Sequence, residues 1–139
     1  GGMVSGIALA LATRCPDLAV FAAEPADFDD TRRSLASGER HSNDPNARSI
    51  CDALLAPTPG EITFSINSRL LTNGLTASDA EARHAMAPAF ETLKIVVEPG
   101  GAVCLATILN GQFDIQNRTV VVVCSGGNVD PAFFATCLE

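Results

Sequence analysis

The chain has 139 residues, 47% of them apolar and 18% charged. That composition excludes a disordered chain and describes one globular domain, or part of a larger one, long enough to bury a core. The net charge of −7 excludes a broad phosphate-backbone surface, which needs clustered Lys and Arg, so nucleic acid is not an expected partner.

The longest apolar runs, residues 7–12 and 18–23, fall far short of the ~20 residues that cross a bilayer. No basic leader precedes them, and the expectation is a soluble protein that does not engage a membrane. The five cysteines are odd in number and form neither a CxxC pair nor a Cys/His cluster at zinc spacing, which points to a reducing cytoplasm. Asn117-Arg118-Thr119 matches a glycosylation sequon, but without a secretory signal it reads as a chance match.

In chain order, residues 4–13 are apolar on nearly every face and read as a buried helix entered through Gly1, Gly2 and Gly6. Residues 18–23 form a continuous apolar run between Pro16 and Pro25, the pattern of a strand covered on both faces in a parallel sheet. Residues 27–36 read as a polar helix with acids in its first turn, and residues 37–46, rich in Ser, Gly, Asn and Asp, as a loop. Residues 49–55 and a Pro57-Thr58-Pro59-Gly60 turn follow. Residues 61–71 mix β-branched residues with helix formers and receive no assignment.

Ser78-Asp79-Ala80-Glu81 is a capping box, so a helix is predicted over residues 78–92, with Pro88 kinking it or dividing it in two. Residues 94–97 read as a short strand, 101–109 as an apolar helix, 119–124 as a strand and 130–138 as a last helix. Alternation of strand and helix defines the class as α/β, with an open, mostly parallel sheet flanked by helices.

Several places could carry chemistry. At Gly1-Gly2-Met3-Val4-Ser5-Gly6, bare backbone and a helix N-terminus suit an anion such as phosphate, although the spacing also fits a plain helix start. Cys124-Ser125-Gly126-Gly127-Asn128 follows Val120-Val121-Val122-Val123, at the strand end where parallel sheets bind ligands, and an ordinary strand-to-helix turn is the alternative. Glu24-Pro25-Ala26-Asp27-Phe28-Asp29-Asp30 gathers oxygen ligands of the kind a hard cation prefers, and acids in a first helical turn are also favoured by the helix dipole. The single lysine, Lys94, invites a Schiff-base role but stands at the wrong end of its expected strand, so a solvated side chain is expected. His41 and His84 have no neighbours that would mark a triad. Glu98-Pro99-Gly100-Gly101-Ala102 could point a carboxylate into a cleft or could simply end a strand.

These motifs, with Ser49-Ile50-Cys51-Asp52 among them, occur in the order seen in one family. The chain resembles the C-terminal half of the serine/threonine dehydratase and serine racemase group, pyridoxal-phosphate enzymes of the tryptophan-synthase-β type. The resemblance implies a part of the larger PLP fold type II architecture, with residues 1–139 the C-terminal portion of a dehydratase-like catalytic domain. It implies pyridoxal phosphate as cofactor, with Gly1, Gly2 and Met3 the end of the phosphate loop and Ser125 facing the pyridine nitrogen. It also implies a cation site, for Mg²⁺ or Ca²⁺, at Glu24, the carbonyl of Phe28 and Asp30.

In that family the lysine that carries the cofactor lies in the N-terminal half, so this stretch alone is expected to be inactive without that half as its partner. The implied activity is ammonia-lyase β-elimination from a serine- or threonine-like β-hydroxy amino acid by a homo-oligomer. Racemisation, or a non-catalytic ligand-binding domain, is the alternative. Ala53 departs from the family, which usually has glycine after Ala-Asp.

Overall fold

A computed structural model describes all residues from Gly1 to Glu139. It contains α1 (Gly2–Arg14), β1 (Phe21–Pro25), α2 (Asp30–Ser37), α3 (Glu61–Leu70), β2 (Asn73–Ala77), α4 (Asp79–Glu91), α5 (Pro99–Leu109) and α6 (Pro131–Thr136). Single 3-10 turns lie at Ala26–Phe28 and Asp52–Leu54. The strands pair in parallel, Phe21 opposite Asn73 and Pro25 opposite Ala77, so the expected class and parallel sheet are present, with helices against the sheet.

The core is built on small side chains. Ala82, Ala85, Met86 and Ala89 of α4 meet Ala102, Val103 and Ala106 of α5, with Cys51, Ala77, Val97 and Cys137 closing the cluster. Alanines at helical spacing let the two axes approach closely, and Met86, fully buried, fills the space they leave. Phe90 of α4 packs edge-to-face on Phe134 of α6, ring centroids 5.6 Å apart, while the Arg83 guanidinium reaches the Thr136 carbonyl.

The capping box that opens α4 is formed in both directions: Ser78 Oγ accepts from the Glu81 N–H, and the Glu81 carboxylate accepts from the Ser78 N–H. Pro88 does not divide the helix, which runs unbroken over Asp79–Glu91. The carbonyl its ring deprives of a donor belongs to His84, an exposed residue.

Several expectations are corrected. The unassigned residues 61–71 are α3, and the first strand lies at Phe21–Pro25 instead of 18–23. Residues 94–97 form no strand. Lys94 takes the left-handed conformation at φ 61, and the Ile95 N–H turns back to the Ala89 carbonyl at 3.1 Å, so this segment closes the end of α4. Residues 119–124 are not a strand either. A ladder needs a neighbouring backbone, the sheet holds only β1 and β2, and Val121 is 83% exposed.

The strand that the sequence concealed is β2, Asn73-Gly74-Leu75-Thr76-Ala77. Its Asn-Gly reads as a turn, but the glycine serves packing: a Cβ there would lie 2.7 Å from the Arg32 Cβ and 2.8 Å from the Arg32 Cα of α2. Gly74→Ala is therefore predicted to destabilise the full-length protein by ~1–3 kcal/mol, read from the denaturant midpoint. An unchanged midpoint means that α2 can step aside.

Candidate functional site

The corner after β1 gathers the first group of predicted residues. Glu24 stands one residue before the strand ends, and its half-buried carboxylate accepts the Thr31 N–H at 3.0 Å and the Arg32 N–H at 2.9 Å, so it caps α2 from outside the helix. Phe28 is buried in the 3-10 turn between them. Asp30 is buried as well, and its Oδ1 accepts from Asn43 Nδ2 at 2.6 Å. The same Asn43 nitrogen donates to the Ala56 carbonyl at 2.9 Å, which ties the polar loop to the corner.

The charges here are sorted. Burial pushes the Glu24 carboxyl above its ordinary value, the Thr31 and Arg32 donors only partly offset this, and the neighbouring Asp30 charge adds to the rise. Burial likewise raises Asp30, against the hydrogen bond from Asn43. Asp29 goes the other way. Burial works against its charge, yet the guanidinium groups of Arg32 at 2.7 Å and Arg33 at 2.6 Å hold it below the usual carboxylate range. Both guanidinium groups bond to Asp29 and neither bonds to Glu24 or Asp30. The chain contains no group of three or more His, Cys, Asp or Glu side chains that could hold a metal ion; at this corner Glu24 and Asp30 bring two carboxylates together.

Ser125 opens the second group. It is exposed, and its hydroxyl makes no hydrogen bond within the chain. The glycines behind it are pressed against α5 and the residues that lead into it. The Glu98 N–H donates to the Gly126 carbonyl at 2.9 Å, and Glu98 Oε2 accepts the Asn128 N–H at 3.0 Å. A Cβ on Gly101 would meet the Gly126 carbonyl oxygen at 2.6 Å, and one on Gly127 the Val96 carbonyl oxygen at 2.7 Å.

The Ser49-Ile50-Cys51 segment is fastened from α4. Asp79 accepts from the Ser49 hydroxyl and, at 3.0 Å, from the Ile50 N–H. Burial pushes the Cys51 thiol up to about 11, which makes it an inert core group at neutral pH.

Gly1, Gly2 and Met3 lie exposed at the start of α1. The first intrahelical donor is the Ser5 N–H, bonded to the Gly1 carbonyl at 3.0 Å, so the N–H groups before it have no helical partner. Ser5 Oγ also donates to Asn67 Oδ1 at 2.8 Å, which fixes this end of α1 against α3. A Cβ on Gly2 would have no neighbour within 4 Å.

The structure thus joins Glu24, Phe28 and Asp30 at one corner and Ser125 to the Glu98 segment, while no hydrogen bond links either group to Gly1–Met3. Two concavities, one of about 240 Å³ beside Ala8, Leu11 and Leu70 and one of about 640 Å³ beside Glu81, His84 and Asn110, include none of these residues. Lys94 is exposed in the turn that closes α4, and His84 is exposed too. His41 hydrogen-bonds Ser37 Oγ at 2.8 Å. Sequence reasoning missed Asp79, whose place in a helix's first turn disguises its reach to Ser49. It also left Glu98 ambiguous.

Residues 1–126 match the family model described as "Pyridoxal-phosphate dependent enzyme", and the chain belongs to this family. It is 38% identical over 133 residues to the serine racemase of Dictyostelium discoideum and 40% identical over 130 residues to the beta-hydroxyaspartate dehydratase of Paracoccus denitrificans. Each match covers 94% of this chain and 41% of the relative, so the chain spans about two-fifths of their length. The crystal structure of the Dictyostelium enzyme superposes with a TM-score of 0.84, covering 94% of this chain and 41% of that one. The crystal structure of the T.th. threonine deaminase gives 0.86 at 33% identity, covering 94% and 46%. The shared architecture is PLP fold type II.

The ion pairs of Asp29 make a pH-dependent contribution. An acid whose folded pKa is depressed adds stability above its unfolded value, and that stability is lost as pH falls through the folded pKa. Asp29→Asn in the full-length protein is predicted to cost ~1 kcal/mol at neutral pH, discounted for two partly exposed arginines, and nothing at low pH where both forms are neutral. Denaturation of the two proteins across pH checks this. A pH-independent difference would assign the effect to packing.

Proposed function

We propose that the complete protein is a pyridoxal-phosphate-dependent lyase acting on a β-hydroxy amino acid, releasing ammonia and a 2-oxo acid by α-proton removal and elimination of the β-hydroxide. The observation that carries this reading is Ser125, an exposed hydroxyl without a protein partner, at the head of a glycine ribbon held against α5. The names of the relatives support the substrate class, among them a beta-hydroxyaspartate dehydratase and a threonine deaminase.

The residues fit the cofactor. The free N–H groups at Gly1, Gly2 and Met3 would hold its phosphate on the positive end of α1, where the space beside Gly2 is open. Ser125 would donate a hydrogen bond to its ring nitrogen. When bound, pyridoxal phosphate supplies the electron sink for α-proton loss and β-elimination. A serine hydroxyl donates without adding negative charge, so unlike an aspartate it does not hold a proton on the ring nitrogen. This tunes the site for prompt loss of a β-hydroxyl over slower side reactions such as transamination.

Racemisation is the second reading, favoured by the 38% identity to a serine racemase; product analysis separates a 2-oxo acid from a D-amino acid. A full-length protein that binds no pyridoxal phosphate would instead be a non-catalytic ligand-binding domain. The same proposal includes a cytoplasmic setting, supported by five free thiols, a small amino-acid substrate, and assembly as a homo-oligomer.

Glu24, the Phe28 carbonyl and Asp30 would bind Mg²⁺ or Ca²⁺. What supports this is a half-buried and a buried acid side by side, with the nearby guanidinium groups bonded to Asp29 instead. Each Glu24 oxygen that accepts one N–H keeps a second lone pair for a cation.

In the full-length protein, Ser125→Ala is expected to weaken cofactor affinity and lower turnover, and Ser125→Asp to shift products away from elimination; wild-type affinity, rate and product ratio in both would reduce Ser125 to a turn residue. A further test concerns the acids. With folded pKa values raised, Glu24 and Asp30 bind protons more tightly folded than unfolded, so without a cation their contribution falls as pH rises above the ordinary carboxylate range. Added Mg²⁺ or Ca²⁺ should raise the unfolding midpoint at neutral pH, less so in acid where protons compete, and chelator should reverse it. Midpoints indifferent to cation and chelator would leave Glu24 as a helix cap alone.

A further inference from the structure

Glu98 occupies the N-cap position of α5 but makes no side-chain hydrogen bond to its own helix. Carboxylates at that position ordinarily accept from the first N–H groups, and the next residues, Pro99-Gly100-Gly101, leave the first turn unobstructed. The half-buried Glu98 carboxylate turns instead to another segment, where Oε2 accepts the Asn128 N–H at 3.0 Å. Its backbone N–H donates to the Gly126 carbonyl at 2.9 Å.

One residue thus grips the turn after Ser125 at two points, on either side of Gly127. The fit between the segments is close. A Cβ on Gly126 would come within 2.7 Å of the Glu98 carboxyl carbon, so glycine there is what allows the carboxylate to lie along the ribbon. No group of the chain bonds to the Ser125 side chain. Its hydroxyl has no partner, and the preceding residues 119–124 belong to no ladder. The position of the backbone that carries the hydroxyl is set where Glu98 and Gly101 hold the ribbon.

We propose that Glu98 is a positioning residue for the cofactor site: its carboxylate, through the Asn128 N–H, fixes the Gly126-Gly127 ribbon and so aims the Ser125 hydroxyl at the cofactor ring nitrogen. The proposal rests on the reading of Ser125 given above. It assigns the carboxylate no contact with cofactor or substrate, and the grip needs an acceptor oxygen but no negative charge. Glu98→Gln retains that acceptor; Glu98→Ala removes it.

Two readouts in the full-length protein test this: amide hydrogen exchange at Asn128 and the dissociation constant for added pyridoxal phosphate. Glu98→Ala should release the Asn128 amide to faster exchange and weaken cofactor binding by about tenfold, the scale of one charge-assisted hydrogen bond. Glu98→Gln should restore both to within about threefold of wild type, since a neutral acceptor bond is only moderately weaker. In a Ser125→Ala background, Glu98→Ala should cost no further affinity, because the two changes remove one interaction.

Asn128 exchange and cofactor affinity that stay at wild type in Glu98→Ala overturn the proposal. Equal losses in Glu98→Ala and Glu98→Gln, or additive losses with Ser125→Ala, overturn it too, because the carboxylate then acts by charge or on the fold at large. If Asn128 exchange responds as expected while Ser125→Ala binds the cofactor as tightly as wild type, the reading of Ser125 has failed, and the positioning role falls with it although the grip is real.

Discussion

At Gly101 and Gly126 two stretches of backbone lie so close that a methyl group on the first would come within 2.6 Å of the carbonyl oxygen of the second. This approach fixes how the chain after residue 124 returns to α5, and with it the positions of Ser125, Asn128 and α6. The closeness is possible because Gly100 and Gly101 carry no side chains in the first turn of α5, and because α5 itself is anchored through Ala102, Val103 and Ala106 to the alanine face of α4. Packing in the core and geometry at the candidate site are in this sense one constraint: small residues on α4 and α5 set the layer, and glycines at its edge let a second segment lie flat upon it.

The corner after β1 shows how one set of residues serves folding and remains open to chemistry. Glu24 satisfies two otherwise orphaned N–H groups of α2, a role that needs no ligand. Yet two guanidinium groups bond to Asp29 while half-buried Glu24 and buried Asp30 have pKa values pushed upward. A pair of buried acids without a bonded cation tends to take up a proton or a cation. The helix cap therefore explains where Glu24 points, and the sorting of charges explains why its carboxyl and that of Asp30 are pushed upward while that of Asp29 is held down.

Much of this was legible in the residues. The capping box at Ser78 announced α4, and the unbroken apolar stretches announced α5 and, as a helix, α1, which buries only Ser5 and Ala8 where a buried helix was expected. The order of the glycine and Glu-Pro motifs pointed to the family that residues 1–126 match. What escaped was non-local. Residues 73–77 drew no assignment, and the purpose of Gly74, the close passage of Arg32, lies in another element. Residues 94–97 and 119–124 have strand-like composition, but a strand exists only where a partner backbone meets it. One segment instead folds back over the end of α4, and the other finds no neighbour in the chain. Pro88 misled in the opposite sense, since a helix whose proline strands only an exposed carbonyl continues through it. Asp79 and Glu98 were visible as acids near helix starts, while their partners, Ser49 and Asn128, lie 30 residues away in each case.

The central claim is that the cofactor ring meets a neutral hydroxyl at Ser125. It can be measured without reference to any substrate, from the nitrogen-15 chemical shift of ring-labelled pyridoxal phosphate bound to the full-length protein. The account predicts the shift of an unprotonated pyridine nitrogen at neutral pH, moving toward the protonated value in Ser125→Asp. A wild-type shift already at the protonated value would contradict it, because a serine partner supplies no charge to hold that proton.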